Sequence, residues 1–281
     1  MFHAVILIMA LFALLPFVVL LDSSLSSESH ILVHGYTLIP RHFSLDAYKF
    51  IFRSPGEVLT SYKVSIIVTV VGTAAALFFS AMGAYVMYRK DVKYRNGLAF
   101  YLFFTTLFNG GLAPYYILLV RYLHMKNSYS VLILSPAVNF VIYILILRSF
   151  IKSTIPDAVV ESAKIDGAND MRIFLRIVFP LMKPALASIG LFMALAYWND
   201  WWTPMMFVEH QNMFPLQYTL YQMLSMMNVS GQFGQHMGNV QLPKETFKLA
   251  MTVVATGPIV LVYPFVQKYF VKGITIGAVK G

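Results

Sequence analysis

The chain has 281 residues, of which 58% are hydrophobic and 12% charged, and its mean hydropathy is +0.68; a soluble domain carries roughly 25% charge. Such a chain belongs in a bilayer, where backbone groups must be satisfied internally, and its long continuous apolar runs select helices over the alternating pattern of a barrel. The absence of cysteine excludes disulfides and thiolate metal centres, and the net charge of +9 falls into loop clusters rather than a nucleic-acid-binding face.

A spanning helix needs about 20 mostly apolar residues. Six runs predict one each: 2–21, 64–88, 98–120, 129–149, 184–206 and 248–270. The first lacks a basic leader and a small-residue cleavage site, so it reads as a retained span rather than a removed signal. The segment 22–63 that follows reads as a long outer loop. Its His30 and His34 have helical spacing, but no third ligand lies between them, and the pair reads as solvated rather than metal-binding.

The second run ends at Arg89, Lys90, Lys93 and Arg95. In the third, "FNGGLAP" (108–114) places glycine and proline where a span bends. In the fourth, Asn139 and Tyr143 stand one turn apart on a predicted interior face, as candidates for hydrogen bonds to a hydroxylated solute or to a neighbouring helix.

Then comes the most polar stretch between spans, "ESAKIDGAND" (161–170), inside a segment punctuated as two short helices. Pro156 suits a first helical position and Asp157 the positive end of the helix dipole. Gly167 suits the left-handed stop of one helix and Asn169 the cap of the next. In the second helix Met171, Phe174, Leu175, Val178 and Leu181 predict one apolar face, with Arg172 and Arg176 opposite.

The fifth run contains "AYWNDWWTP", with all three tryptophans of the chain and one acid. On a continuous helix Trp198, Trp201 and Trp202 share a face and Asp200 points away from it, toward the bundle. The tryptophans read as interfacial anchors or as a stacking surface for sugar rings; Asn199 and Asp200 read equally as helix-packing or solute-contacting groups. The segment 207–247 reads as a second outer loop, with "NVSGQFGQHMGNV" as its accessible part. In the sixth run "TGP" (256–258) predicts another bend.

Six crossings put both termini on one side. If that side is the cytoplasm, the inner segments hold Arg89, Lys90, Lys93, Arg95, Arg148, Lys152, Lys164, Arg172, Arg176, Lys183, Lys268, Lys272 and Lys280, most of the 21 basic residues. The positive-inside rule therefore places 161–170 in the cytoplasm. No repeat or linker interrupts the chain, so residues 1–281 read as one domain.

Glu161, Ser162 and Ala163, the glycine four positions on (Gly167) and Pro180 thirteen beyond it resemble the EAA loop of ATP-binding-cassette importer permeases. Ser162 replaces the family's usual alanine and Phe179 its usual leucine, both conserving size or apolarity. "IDGA" (165–168, including Asp166), "FPLMKPALA" and "WND" narrow the resemblance to the carbohydrate-uptake permeases, the group containing the maltose permeases. The resemblance implies an all-α membrane protein with six transmembrane helices and a cytoplasmic helix-turn-helix coupling loop over about 151–183.

It also implies a bacterial inner-membrane location and four kinds of partner: a second homologous permease subunit, two copies of an ATP-binding subunit, an extracytoplasmic solute-binding protein that the 207–247 loop approaches, and a sugar, either a neutral or an acidic oligosaccharide. By the same resemblance Glu161, Ser162, Ala163, Asp166, Gly167 and Pro180 belong to the ATPase-coupling site, while Asn139, Tyr143, Trp198, Asn199 and Asp200 are candidates for the substrate path. The chain has no phosphate-cradling G-x-x-x-x-G-K-[ST] stretch, no nucleophile elbow and no metal or cofactor motif, so the reading is a non-catalytic subunit. The alternatives are a permease for a non-carbohydrate solute and a stand-alone ion-coupled carrier, the latter disfavoured by the shortage of intramembrane ionisable pairs.

Overall fold

The structure, a computed structural model, describes residues 2–39, 42–108, 110–233 and 243–278. All of its regular elements are helices: α1 (Phe2–Ser24), α2 (Glu28–His34), α3 (Asp46–Ile51), α4 (Pro55–Tyr88), α5 (Arg95–Leu107), α6 (Leu112–Tyr122), α7 (Tyr129–Thr154), α8 (Asp157–Ile165), α9 (Asp170–Leu181), α10 (Lys183–Trp198), α11 (Trp202–Phe207), α12 (Leu216–Phe233) and α13 (Lys244–Ala278). Three single helices, α1, α4 and α7, are long and apolar enough to cross a membrane, and the bent pairs α5–α6 and α9–α10 raise the number to five. The sixth apolar run, 248–270, lies within α13.

The predicted boundaries need correction at the breaks. α4 starts nine residues before the apolar run, at Pro55, because a proline in the first turn forfeits no hydrogen bond and Glu57 complements the dipole. The expected third span is two helices whose directions differ by 118°, turning near Gly111 at φ +88. The expected fifth span ends at Trp198 and resumes at Trp202, so the helical-wheel argument that set Asp200 opposite the tryptophans does not hold. α13, by contrast, runs unbroken through Thr256, Gly257 and Pro258. The two segments expected as outer loops are largely helical, since α2 and α3 occupy the first and α12 the second, including residues 228–233 of the glycine-rich stretch; 234–242 lie outside the described residues.

The chain forms two compact units. In the unit made of 1–62 and 215–262, α3 and α13 meet through Phe50 and Phe247, edge to face at 5.5 Å. The hydroxyls of Ser61 and Thr219 bond at 2.7 Å, and Tyr62 donates to the Val254 carbonyl at 2.7 Å. Glu28 caps α13, accepting from the Glu245 and Thr246 amides at 2.9 and 2.8 Å. His30 is buried, stacked on the exposed His34 at 4.6 Å and 5.1 Å from the ring of His42, so of the expected solvated pair only His34 is exposed; no group of three among the described residues has the geometry of a metal site.

In the other unit, α4 and α10 approach closely through glycine. A Cβ on Gly72 would lie 2.7 Å from the Tyr197 ring, and one on Gly190 would lie 2.9 Å from Leu77. Small residues let apolar helices pack where no hydrophobic effect draws them together. The Tyr197 ring cannot swing aside freely, because its hydroxyl donates to the Ile133 carbonyl at 2.6 Å. Overpacking of this kind costs about 1–3 kcal/mol. Gly72→Ala is therefore expected to lower the thermal midpoint of the purified protein in detergent, whereas Gly83→Ala, whose Cβ would rest 3.4 Å from Ile144, leaves it unchanged; equal midpoints for both variants would contradict the packing described.

Candidate functional site

α8 and α9 form a bent helical pair whose turn follows from Gly167, Ala168 and Asn169. Asp157 opens α8 and Lys164 lies in its last turn, each matching the dipole at its end. Pro156 is the extended N-cap, with φ −63 and ψ 134, rather than the first helical residue expected. At the other end Gly167 has φ +78. Its amide donates to the Lys164 carbonyl and that of Ala168 to the Ala163 carbonyl, both at 3.0 Å, the paired bonds of a Schellman stop. Asn169 then caps α9, its side-chain oxygen accepting from the Arg172 amide at 2.9 Å.

α9 is not a uniform helix. Residues Phe174–Val178 form a π turn, which accommodates Pro180: a proline ring clashes with the carbonyl four residues back, here Arg176, and the wider turn moves that carbonyl away. The extra residue shifts the buried face. Ile173, Phe174, Val178 and Met182 are buried, while Met171, Leu175 and Leu181, expected beside Phe174 and Val178, are exposed. α9 meets α10 at a bend of 79°.

α8 has two faces. Val160 and Ala163 are buried, whereas Ala158, Ser162 and Ile165, at positions i, i+4 and i+7, point outward. Ile165 is 86% exposed, the highest value among the described large apolar residues. Ser162 turns its hydroxyl back onto the Ala158 carbonyl at 2.8 Å, so its polar group is spent on the backbone. Glu161 is exposed at the lip of a shallow hollow it shares with Arg89 and Lys164; Asp166 is exposed at the C-cap of α8 and Pro180 is half-buried inside α9.

The hollow is the seat of a polar clamp that the sequence reading missed. Tyr88 and Lys90 donate to the two oxygens of Asp157, each at 2.5 Å. Arg89 binds Asp91 with two nitrogens and reaches Asp170 on α9 at 2.6 Å. Lys164 closes the ring on Asp91 at 2.8 Å. Beneath it Tyr85 stacks on Phe174 at 5.6 Å, and Phe78 meets the same ring at 5.9 Å. The signal was present as "YRKD" directly after an apolar run, but it read as orientation charge.

Magnitudes separate the roles of the two layers. An exposed ion pair contributes only about 0.2–1 kcal/mol, while burying a phenylalanine contributes roughly 1.5–3 kcal/mol. Phe174 thus supplies adhesion and the clamp supplies registry. Arg89, then Lys164, hold the Asp91 carboxyl well below the ordinary carboxylate range, and Lys90, then Tyr88, lower that of Asp157. A depressed carboxylate stabilises the folded form at and above its ordinary pKa and loses that contribution as pH falls through the depressed value. The clamp is therefore intact at neutral pH.

The residues expected on a solute path lie elsewhere. Asn139 is exposed in a 3-10 step (Val138–Phe140) inside α7, and half-buried Tyr143 lies 5.7 Å from the Phe140 ring. Trp198 is buried at the end of α10. Asn199 donates to the Leu195 carbonyl at 2.8 Å, and Asp200 accepts from the Trp202 and Thr203 amides at 3.1 and 3.0 Å, closing one helix and opening the next.

Because a Cβ at Gly167 would meet nothing within 4 Å, any penalty there is one of backbone alone. Gly167→Val is expected to loosen the α8–α9 turn by about 1–2 kcal/mol, and Asn169→Ala by about 0.5–2 kcal/mol. Amide hydrogen exchange over 157–175 should quicken in both, and less so in Gly167→Asn; protection unchanged in Gly167→Val would contradict the left-handed stop.

Residues 97–276 match the family of binding-protein-dependent transport system inner membrane components. The polygalacturonan/rhamnogalacturonan transport system permease protein YtcP of Bacillus subtilis is 40% identical over 99% of this chain and 96% of its own length. The arabinooligosaccharides transport system permease protein AraQ of Halalkalibacterium halodurans is 29% identical over 97% of this chain and 93% of its own. A crystal structure of a bacterial ABC transporter involved in the import of the acidic polysaccharide alginate superposes with a TM-score of 0.77 at 31% identity, over 95% of each chain. With its bent apolar spans and a polar helical pair clamped between them, the chain belongs to the family of binding-protein-dependent transport system inner membrane components.

Proposed function

We propose that this protein is the permease subunit of an ATP-driven importer for oligosaccharides, and that α8 is the element a separate ATPase moves. The observation that carries the coupling assignment is Ile165, an isoleucine left 86% exposed on a short helix whose other face is buried and clamped. An apolar side chain held out on a rigid polar segment fits a cleft in a partner protein. Glu161, Ser162, Ala163, Asp166, Gly167 and Pro180 then act together: Ser162 and Glu161 lie on or beside the docking face, Ala163 seats α8, Gly167 and Asp166 set its stop, and Pro180 shapes the helix that leads on to α10.

In this reading six spans place both termini and α8 in the cytoplasm, with α13 supplying the sixth. A second permease subunit completes the translocation path, two ATP-binding subunits drive it, and an extracytoplasmic binding protein delivers the sugar near α12. The exposed apolar residues 3–18 of α1 are available to lipid and to the second permease. ATP-driven closure draws the two coupling helices together and rocks the spans as rigid bodies. The sugar assignment rests on the similar proteins, two of which are named for polymers of uronic acids; this supports an anionic oligosaccharide as cargo. Asn139, Tyr143, Trp198, Asn199 and Asp200 remain path candidates, Asn199 and Asp200 chiefly as the groups that cap a helix break.

Burial of an isoleucine contributes roughly 1.5–3 kcal/mol, so Ile165→Asp is expected to weaken capture of the ATPase by about tenfold or more, and Ile165→Leu to preserve it. In the reconstituted complex, ATP hydrolysis with the binding protein present should rise with uronate oligosaccharides. Undiminished capture by Ile165→Asp would contradict the docking role, and stimulation by no sugar at all would contradict the cargo.

A further inference from the structure

Resting on the importer reading, we propose that the turn Tyr88–Asp91 is a second arm of the transmission, which passes the displacement of α8 directly into α4 and keeps α4 and α10 moving as one body. Two routes lead from α8 into the spans. The covalent route runs through the turn at Gly167, the π turn of Phe174–Val178 and a 79° bend into α10. Each is a point where a helix yields. The second route is short: Tyr88 and Lys90, at the end of α4 and just beyond it, grip Asp157 at the start of α8, while Arg89 and Asp91 join Lys164 at the end of α8 to Asp170 at the start of α9.

The packing of the spans makes the second route necessary. α4 and α10 touch through Gly72 against Tyr197, with no room for a methyl group, and through Gly190 against the end of the Leu77 side chain. Pulling α10 alone would shear that interface, and a close-packed interface shifts between discrete arrangements rather than deforming. Driving α4 through the clamp at the same moment leaves the contact intact. Tyr88, Arg89, Lys90, Asp91 and Asp157 are thus positioning residues for the power stroke; they touch neither nucleotide nor sugar.

The test uses the whole complex of this chain with its second permease, ATPases and binding protein in liposomes, and reads sugar imported per ATP hydrolysed. Lys90→Asp and Asp157→Lys, each alone, are expected to retain the ATPase yet import about three- to tenfold less sugar per ATP, and the two together to restore the ratio, as coupled neighbours do. Tyr88→Phe removes one hydroxyl without disturbing assembly and is expected to lower the ratio in the same direction; it decides the matter where a charge variant does not assemble. A wild-type ratio in Tyr88→Phe and in the single variants, or a double swap as uncoupled as its parents, would overturn the proposal. The wild-type complex reports on the importer reading separately: if it neither holds an ATPase nor imports sugar, that reading falls and the clamp proposal with it, whereas normal coupling in every variant removes the clamp proposal alone.

Discussion

Hydrocarbon offers no partner to a peptide group, and the breaks in this structure are organised by that constraint. A continuous helix satisfies itself; an interrupted one exposes carbonyls and amides that some side chain must meet. In α7 the 3-10 step follows Pro136, and the carbonyls of Ile133 and Ser135 are taken by the hydroxyls of Tyr197 and Tyr115. Between α10 and α11, Asn199 and Asp200 supply one donor and one acceptor to the two helix ends. Between α8 and α9 the Schellman bonds and Asn169 do the same. Bends are thus placed where polar side chains already stand.

The polar pair α8–α9 obeys the same logic in water. Its backbone is satisfied by its own stop and cap, and its inner face is held by Phe174 and by the clamp. On one outward face of α8 it leaves Ala158, the turned-in Ser162 and Ile165, beside the exposed charges of Glu161 and Asp166. In the importer reading proposed above, the work of a separate ATPase enters through this surface.

Much of this was legible from residue order. Six apolar runs announced a helical membrane protein, and Gly167 and Asn169 announced a helix, a bend and a helix, because each device is local and leaves a local trace. What failed were inferences that assumed uniform geometry. The apolar face of α9 was misplaced because Pro180 forces a π turn that adds a residue to the count. The orientation of Asp200 was misjudged because the helix stops at Trp198. The helix runs without a break through Gly257, since proline and glycine permit a break without requiring one. Tyr197, which seals Gly72, and the clamp around Asp157 were invisible for a different reason: both join segments more than sixty residues apart, and no local pattern encodes such a contact.

The most direct test of the account replaces Ile165 by a photo-crosslinking amino acid in the otherwise native, cysteine-free chain and illuminates membranes that hold the assembled transporter. The account predicts one dominant product joining this chain to the ATP-hydrolysing subunit. A residue at position 165 that crosslinks only to lipid, or to the permease itself, would contradict it.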